Sequence, residues 1–429
     1  MSVFFDPFRS LTNEPFGQNF GSALLAGGST GIPGLLSLWN AKTPSTSPVG
    51  PQIQTSVAGN QPDASGNMVP WPVNHPGRGG MVQPAYSNLL QNSKFEGAVS
   101  GTPGTVPTNW TYSTIGAAAL VYSAANTSIQ LTATASRCFF AKSVTLAVST
   151  TYRFDFLATC DGVLQLGHIV AHAGIPAGAT ASYRLDDATV ADTAVPAAGA
   201  HRIALVIVVV ATGGSVQFRV GCGPLVAVTG TVTISQPQLV ASVYQMPYAA
   251  SGAGATTSVT STAATSGGNG LAIPLSAAMA AALSGGAFTA AALVEMGVSS
   301  AQVTAPANIL SVNDVAAGLI FADSGGKLKC TDGTNTAEVT VTGGWVRTDE
   351  LLPVVQCDGA TFRIGYAKNT FTTITWGTAV AVGADGDWDV VTHERIGLNS
   401  VIPLGVQQVQ TWAKAASEAE ILRVRGYAV

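Results

Sequence analysis

Carboxylates and imidazoles at close spacing are where chemistry would begin in this chain. Asp385, Asp387 and Asp389 place three acidic side chains at alternate positions, as the opening of a calcium-binding loop does. The helix-loop-helix version needs Gly at its sixth position and Glu at its twelfth, and Val390 and Ile396 stand there instead. His168 and His172 are four apart, the spacing of two zinc ligands on a helix, but Gly167, Gly174 and the apolar residues between predict a strand. Four residues of strand span about 13 Å, too far for one ion held at about 2 Å from each nitrogen. The two imidazoles therefore read as ordinary strand residues. Glycoside hydrolysis needs two carboxyls about 5–10 Å apart across a sugar, and the adjacent acids Asp186-Asp187 and Asp349-Glu350 would point to opposite faces of a strand. No G-x-S-x-G elbow, phosphate-cradling loop, dinucleotide fingerprint or His-Glu-x-x-His motif occurs, so the nucleophilic and nucleotide-dependent classes have no footing.

What remains is aromatic recognition. Trp110, Trp345, Trp376, Trp388, Tyr183 and Tyr244 lie in or beside turns, where a ring can stand at a sandwich edge and stack on a sugar face. In a β-domain the competing role for each ring is core packing.

These residues need a scaffold, and the composition specifies strands. The chain has 429 residues, long enough for two or three domains, and only 10% are charged. A surface that poor in charge is dressed with hydroxyls and amides or covered by other subunits. The net charge of -4, with Lys and Arg scattered singly, offers no field for a polyphosphate backbone, which excludes nucleic acid as a partner. The longest apolar run, 203–211, is about half of the roughly 20 residues a membrane helix needs, and its β-branched content marks a buried strand. Phe4, Phe5, Asp6 and Pro7 stand where a secretory leader would have basic and then apolar residues, so synthesis and folding in a cytosol are expected. The five cysteines are odd in number and scattered, which predicts buried thiols; Cys330 with Cys357 is the pair to inspect.

Residues 1–85 stand apart. They hold half of the 22 prolines and almost no periodicity, yet large apolar residues recur, among them Phe4, Phe5, Phe8, Phe16, Phe20, Trp39 and Trp71. Fixing such a segment costs about 1–2 kcal/mol of backbone entropy per residue, so it is expected to pack on other chains. Short runs of Val, Ile, Thr, Phe and Tyr between Gly, Pro and Asn then fill 86–250. A Ser/Gly/Ala/Thr linker is expected at 251–270 and a second β-domain at 271–429, with one short helix near 276–283 and turns at Gly325-Gly326, Asp332-Gly333 and Asp358-Gly359. Ser417 and Glu420 have capping-box spacing, which predicts a closing helical turn.

Two resemblances sharpen this outline. The run Asn88-Leu89-Leu90-Gln91-Asn92-Ser93-Lys94-Phe95-Glu96-Gly97, with Pro107 and Trp110 downstream and Gln236-Pro237-Gln238-Leu239 and Met246-Pro247-Tyr248 at the far end, resembles the opening and closing strands of carbohydrate-binding-module jelly rolls in phage tail proteins. Val240-Ala241 departs from that pattern, where Glu and Gly are common. Gly343-Gly344-Trp345, then Asp358-Gly359 before Phe362-Arg363-Ile364-Gly365-Tyr366, then Arg395-Ile396-Gly397, Trp412 and the acidic turn 417–422 resemble the laminin-G/concanavalin-like superfamily. The resemblances imply an all-β chain: two jelly-roll β-sandwiches in series behind an irregular, extended N-terminal arm. They imply a virion component of a bacteriophage, made in the host cytoplasm and exposed on the particle. Its arm would dock on other virion proteins through Phe4, Phe5, Phe8, Phe16, Phe20 and Trp39, and self-association as a homotrimer would bury the arms. Its sandwiches would present a host-surface glycan site drawn from Trp110, Tyr183, Trp345, Trp376 and Trp388, with no cofactor, no membrane insertion and no catalysis. The laminin-G likeness also leaves a looser calcium site at Asp385, Asp387 and Asp389 to be considered. The alternatives are a capsid or neck decoration protein without host contact and, third, a polysaccharide depolymerase.

Overall fold

The computed structural model describes residues 85–102, 104–124, 127–246, 248–259, 277–284, 286–312, 319–347, 349–383 and 402–425, and the backbone alone at 35–40, 54–55, 59–62, 68–71, 80–82, 271–274 and 393–396, as also at 112–118, 278–279 and 424–425. Strands dominate, as expected. The N-terminal segment contributes β1 (Leu35–Asn40), β2 (Gln54–Thr55), β3 (Gly59–Pro62), β4 (Met68–Trp71) and β5 (Gly80–Val82), of which β3 and β4 pair with each other.

Residues Tyr86–Val259 form one compact unit. Its strands are β6 (Tyr86–Asn88), β7 (Thr111–Ser123), β8 (Ser128–Leu146), β9 (Thr150–Cys160), β10 (Val170–Ala173), β11 (Thr180–Leu185), β12 (Ala188–Val190), β13 (Gly199–Val209), β14 (Gly214–Cys222), β15 (Val228–Val240) and β16 (Thr257–Val259). Nine of them make one antiparallel sheet in the order β10-β14-β8-β15-β9-β13-β11-β12, with β7 alongside β8. The 19-residue β8 is its pivot. Its first half pairs with β15, Ile129 opposite Ile234, and its second half with β14, Val144 opposite Val216. Where the pairing passes from one partner to the other the register with β15 shifts, and Ala135 there has a φ of 47°. Alternation then aims Tyr152, Phe154, Phe156 and Ala158 of β9, Ile203, Leu205 and Ile207 of β13 and Phe218 and Val220 of β14 into one core. Phe154 meets Phe218 across it at 5.2 Å between ring centroids.

The run at 88–97 and its counterpart at 238–252 close this unit as a clasp. Asn88 Oδ1 accepts from the amides of Leu90 and Leu239, and its Nδ2 donates to the carbonyl of Ala249. Asn92 donates to the carbonyls of Glu96 and Thr108, while the Trp110 indole donates to the Asn92 carbonyl at 3.0 Å. The hydroxyls of Ser93 and Tyr248 meet at 2.8 Å, and Ser251 donates to the Leu90 carbonyl. Strand β16 continues the closure by pairing with β6, in a stretch whose composition reads as linker.

The second unit joins N-terminal strands to the C-terminal residues. Its further elements are β17 (Leu271–Pro274), α1 (Ala277–Leu283), β18 (Phe288–Met296), β19 (Ala307–Val312), β20 (Ile320–Asp323), β21 (Lys327–Thr331), β22 (Thr336–Thr340), β23 (Glu350–Cys357), β24 (Thr361–Lys368), β25 (Thr375–Trp376), β26 (Val380–Ala381), β27 (His393–Ile396), β28 (Leu404–Trp412) and α2 (Glu418–Arg425). One sheet runs β1-β28-β18-β23-β24-β25, with β26 on β24 and β5 on β28, and the other runs β2-β17-β27-β19-β20-β21-β22. Every residue of β18 and β28 is buried. On one face of the first sheet, Ala291, Leu293, Leu352, Val354, Ala367 and Trp412 pack with Phe371 and Ile374 of a loop and with Ile421 of α2, so the helix is a lid on that face. The turns expected at Gly325-Gly326, Gly333 and Gly359 are present, each with φ between 71° and 94°. The capping box forms as well: Ser417 N donates to Glu420, and Glu420 N donates to the Ser417 hydroxyl.

The N-terminal segment, expected to pack on other chains, finds support on its own: β1 and β5 share the outer edge of β28, Trp39 opposite Val409 and Val82 opposite Leu404, and β2 extends β17. The reason is that a sheet edge offers unpaired backbone groups, and backbone pairing requires no periodic side-chain pattern.

Candidate functional site

The expected sugar-stacking aromatics separate by burial. Trp110 is 5% exposed and packs against Phe95 and Phe140. Trp345 is 1% exposed, and its indole donates to the Val298 carbonyl. Both are core residues with no ring face toward solvent, and Tyr244 is buried too. Tyr183 keeps partial exposure on β11, where it lies against the core of the first unit. Trp376 also keeps partial exposure. Trp388, Asp385, Asp387, Asp389, Phe4, Phe5, Phe8, Phe16 and Phe20 lie outside the described residues, and Trp39 is described only as backbone in β1.

The other singled-out groups have structural partners. His168 ends a helical turn, Leu166–His168, in place of the expected strand, because the amides of Gly167 and Leu166 bond across to Asp192 and Ala194. His172 lies on β10 opposite Phe218, and burial, with Arg219 nearby, holds its pKa below the ordinary imidazole range. Among the described residues no group of three or more His, Cys, Asp and Glu is placed to hold a metal ion. All five cysteines are buried free thiols, Cys330 and Cys357 included. Burial pushes Cys160 and Cys222 up to about 12, so neither is a nucleophile at neutral pH. Asp186 pairs with His201 at 2.8 Å, Asp349 with Lys368 at 2.8 Å, and Glu350 accepts from Gln407.

Two guanidinium constellations stand out in a chain so poor in charge. In the first unit Arg153 and Asp155 occupy the alternate positions of β9, on the face opposite Phe154 and Phe156. Arg153 Nε lies 3.3 Å from Asp155 Oδ2 and Nη2 lies 2.5 Å from Asp187, while Arg202 lies 3.2 Å from the other Asp155 oxygen. Gln238 Nε2 donates to Asp155 and to the Met246 carbonyl, which binds this network to the clasp. The Arg153 and Asp155 side chains are all but fully buried, so the centre of the network is shut off from solvent.

The second constellation is open. The Asp358-Gly359 turn, in which Asp358 Oδ1 accepts from the amides of Ala360 and Thr361, fixes β23 against β24 so that Gln356 faces Arg363. Gln356 Oε1 accepts from Arg363 Nε at 3.1 Å and from Nη2 at 2.7 Å, and Gln356 Nε2 is itself anchored on the Ala416 carbonyl. Strand β25 places Trp376 opposite Gly365, where a Cβ would come within 2.6 Å of the ring. The indole therefore lies directly on the glycine, and the Arg363 guanidinium covers it at 4.1 Å from the ring centroid. The result is a rigid, half-exposed stack of backbone, indole and guanidinium. Arg363 escaped the sequence reading although Phe362-Arg363-Ile364-Gly365-Tyr366 alternates plainly. Its importance depends on β25, whose two residues carry no periodic signal.

The chain matches no protein-family model and no curated protein. Among solved structures it is similar to Trypanosoma rangeli sialidase, at 13% identity over 32% of this chain and 22% of that one, with a TM-score of 0.25. It is similar also to the binding domain of botulinum neurotoxin DC in complex with rat synaptotagmin II, at 7% identity over 37% of this chain and 40% of that one, with a TM-score of 0.28. The same binding domain in complex with SialylT gives 7% identity over 37% and 39%, again at 0.28. The chain thus spans less than half of the length of each, and no residue role passes from them to this protein.

Proposed function

We propose that this protein is a structural and glycan-binding subunit of a bacteriophage particle, in which the β-sandwiches present a sugar-binding surface. The observation that carries the binding reading is the Arg363–Trp376 stack: of the expected aromatics among the described residues, Trp376 alone combines exposure with a cation locked over its ring. Flat, rigid and polar at its rim, such a surface suits a pyranose, which needs an apolar contact and directed hydrogen bonds together. The residues that carry the likeness to phage modules form the clasp that closes the first unit. Tyr183 is a secondary candidate on the first unit.

Full-length protein should co-sediment with host cells and with polysaccharide extracted from them, and Trp376→Ala should reduce that retention at least tenfold. A folded chain that binds neither, while intact particles adsorb, would leave the decoration role in its place. Release of oligosaccharides from the polysaccharide would replace binding by depolymerisation. Antibody labelling of particles tests the virion placement directly.

A further inference from the structure

We infer that the glycan held by this surface is acidic, with a sugar carboxylate seated on the Nη1/Nη2 edge of Arg363; the inference rests on the glycan-binding reading above. A guanidinium has two edges able to grip a planar acceptor with a pair of N–H groups. On Arg363 the Nε/Nη2 edge is taken by Gln356 Oε1, a neutral acceptor. The other edge has no partner among the described residues, and no described carboxylate pairs with this arginine. Arg153 and Arg202, by contrast, are neutralised by Asp155 and Asp187, while Arg137 and Arg219 lie against Phe139 with N–H groups on the carbonyls of Gly223 and Pro224, and Arg184 donates to the Thr189 hydroxyl.

Two further features make the open edge more than a surface arginine. Stacking on Trp376 and the pair of hydrogen bonds to Gln356 hold the guanidinium in one orientation, so a ligand need not freeze a flexible side chain on binding. The unneutralised charge selects for an anion, and the two coplanar N–H groups of the free edge match the spacing of carboxylate oxygens. With a net charge of -4 the chain as a whole attracts no acid, so the preference must be local and only mildly weakened by salt.

The test uses the full-length protein with polygalacturonate, alginate and hyaluronate, each alongside its carboxyl-reduced form, in which every uronate carboxyl has become a primary alcohol on the same backbone. Native acidic polysaccharide should bind about tenfold to a hundredfold more tightly than its reduced counterpart. Arg363→Gln should erase that difference while leaving the unfolding midpoint of the protein near that of the parent. Equal binding of native and reduced forms, or a preference that survives in Arg363→Gln, overturns the inference and leaves glycan binding standing. Failure of the parent protein to bind any acidic or neutral polysaccharide removes the glycan-binding reading and the inference with it.

Discussion

Arg153 and Arg363 both project from sheet strands, and their fates are opposite. Arg153 is enclosed among Asp155, Asp187 and Arg202, and its charge serves the interior of the first unit. Among the described residues Arg363 is met by an amide and an indole, and it keeps partial exposure to water. A buried ion pair adds little net stability when intact, since desolvation offsets the attraction, but removing one partner strands a charge in a place where it cannot be solvated. A half-exposed guanidinium on an aromatic ring carries neither the cost nor the penalty. On the proposed function, stability and recognition fall to different arginines, one in each unit.

The largest effect expected from this contrast is at Arg153. Arg153→Met removes the cation that Asp155 and Asp187 share, leaving Asp155 with Arg202 and Gln238, and should destabilise the first unit by about 3–5 kcal/mol in chemical denaturation; a loss under about 1 kcal/mol would mean that the network is solvated and the contrast false. Asn92→Ala is expected to cost about 1–3 kcal/mol, because the carbonyls of Glu96 and Thr108 lose their shared donor inside the clasp. Arg363→Gln should cost at most about 0.5–1 kcal/mol, the worth of an exposed cation–π contact, and a larger loss would move Arg363 to the structural side. The smallest effect belongs to α2. Lys414, and after it the Ser417 amide, hold the Glu420 carboxyl down to about 2, below its ordinary value. A carboxyl depressed in the folded state contributes stability above its ordinary pKa of about 4.3 and loses it as pH falls toward 2. For so exposed a pair that amounts to tenths of a kcal/mol, visible as a fall in amide protection in α2, taken relative to the intrinsic exchange rate at each pH, between pH 4.5 and pH 2 with the sheets unaffected.

Much of this architecture was legible in the residues. Runs of Val, Ile, Phe, Tyr and Thr marked β9, β13 and β24 as strands, because β-branched and aromatic side chains suit a pleated, buried surface. Gly325, Gly333 and Gly359 marked their turns through the positive φ that other residues resist. Ser417 and Glu420 announced α2, whose capping box closes within four residues. The motif at 88–97 was visible as a motif, but its purpose, a clasp onto residues 238–252, needs partners some 150 positions away.

What the chain alone determined, then, is everything that short-range chemistry controls: the all-β class, the turns, the buried thiols and the absence of a basic field. Tertiary structure decided which polar and aromatic groups face water. Trp110, Trp345 and Trp376 are the same residue type beside similar turns, yet two sank into cores and one stayed at a surface under an arginine. Tertiary structure also placed β1, β2 and β5 on the C-terminal sheets, since an edge strand is recruited by backbone hydrogen bonds that every residue but proline can donate. Burial is a property of the completed sheet pair, and no window of sequence contains both of its sides.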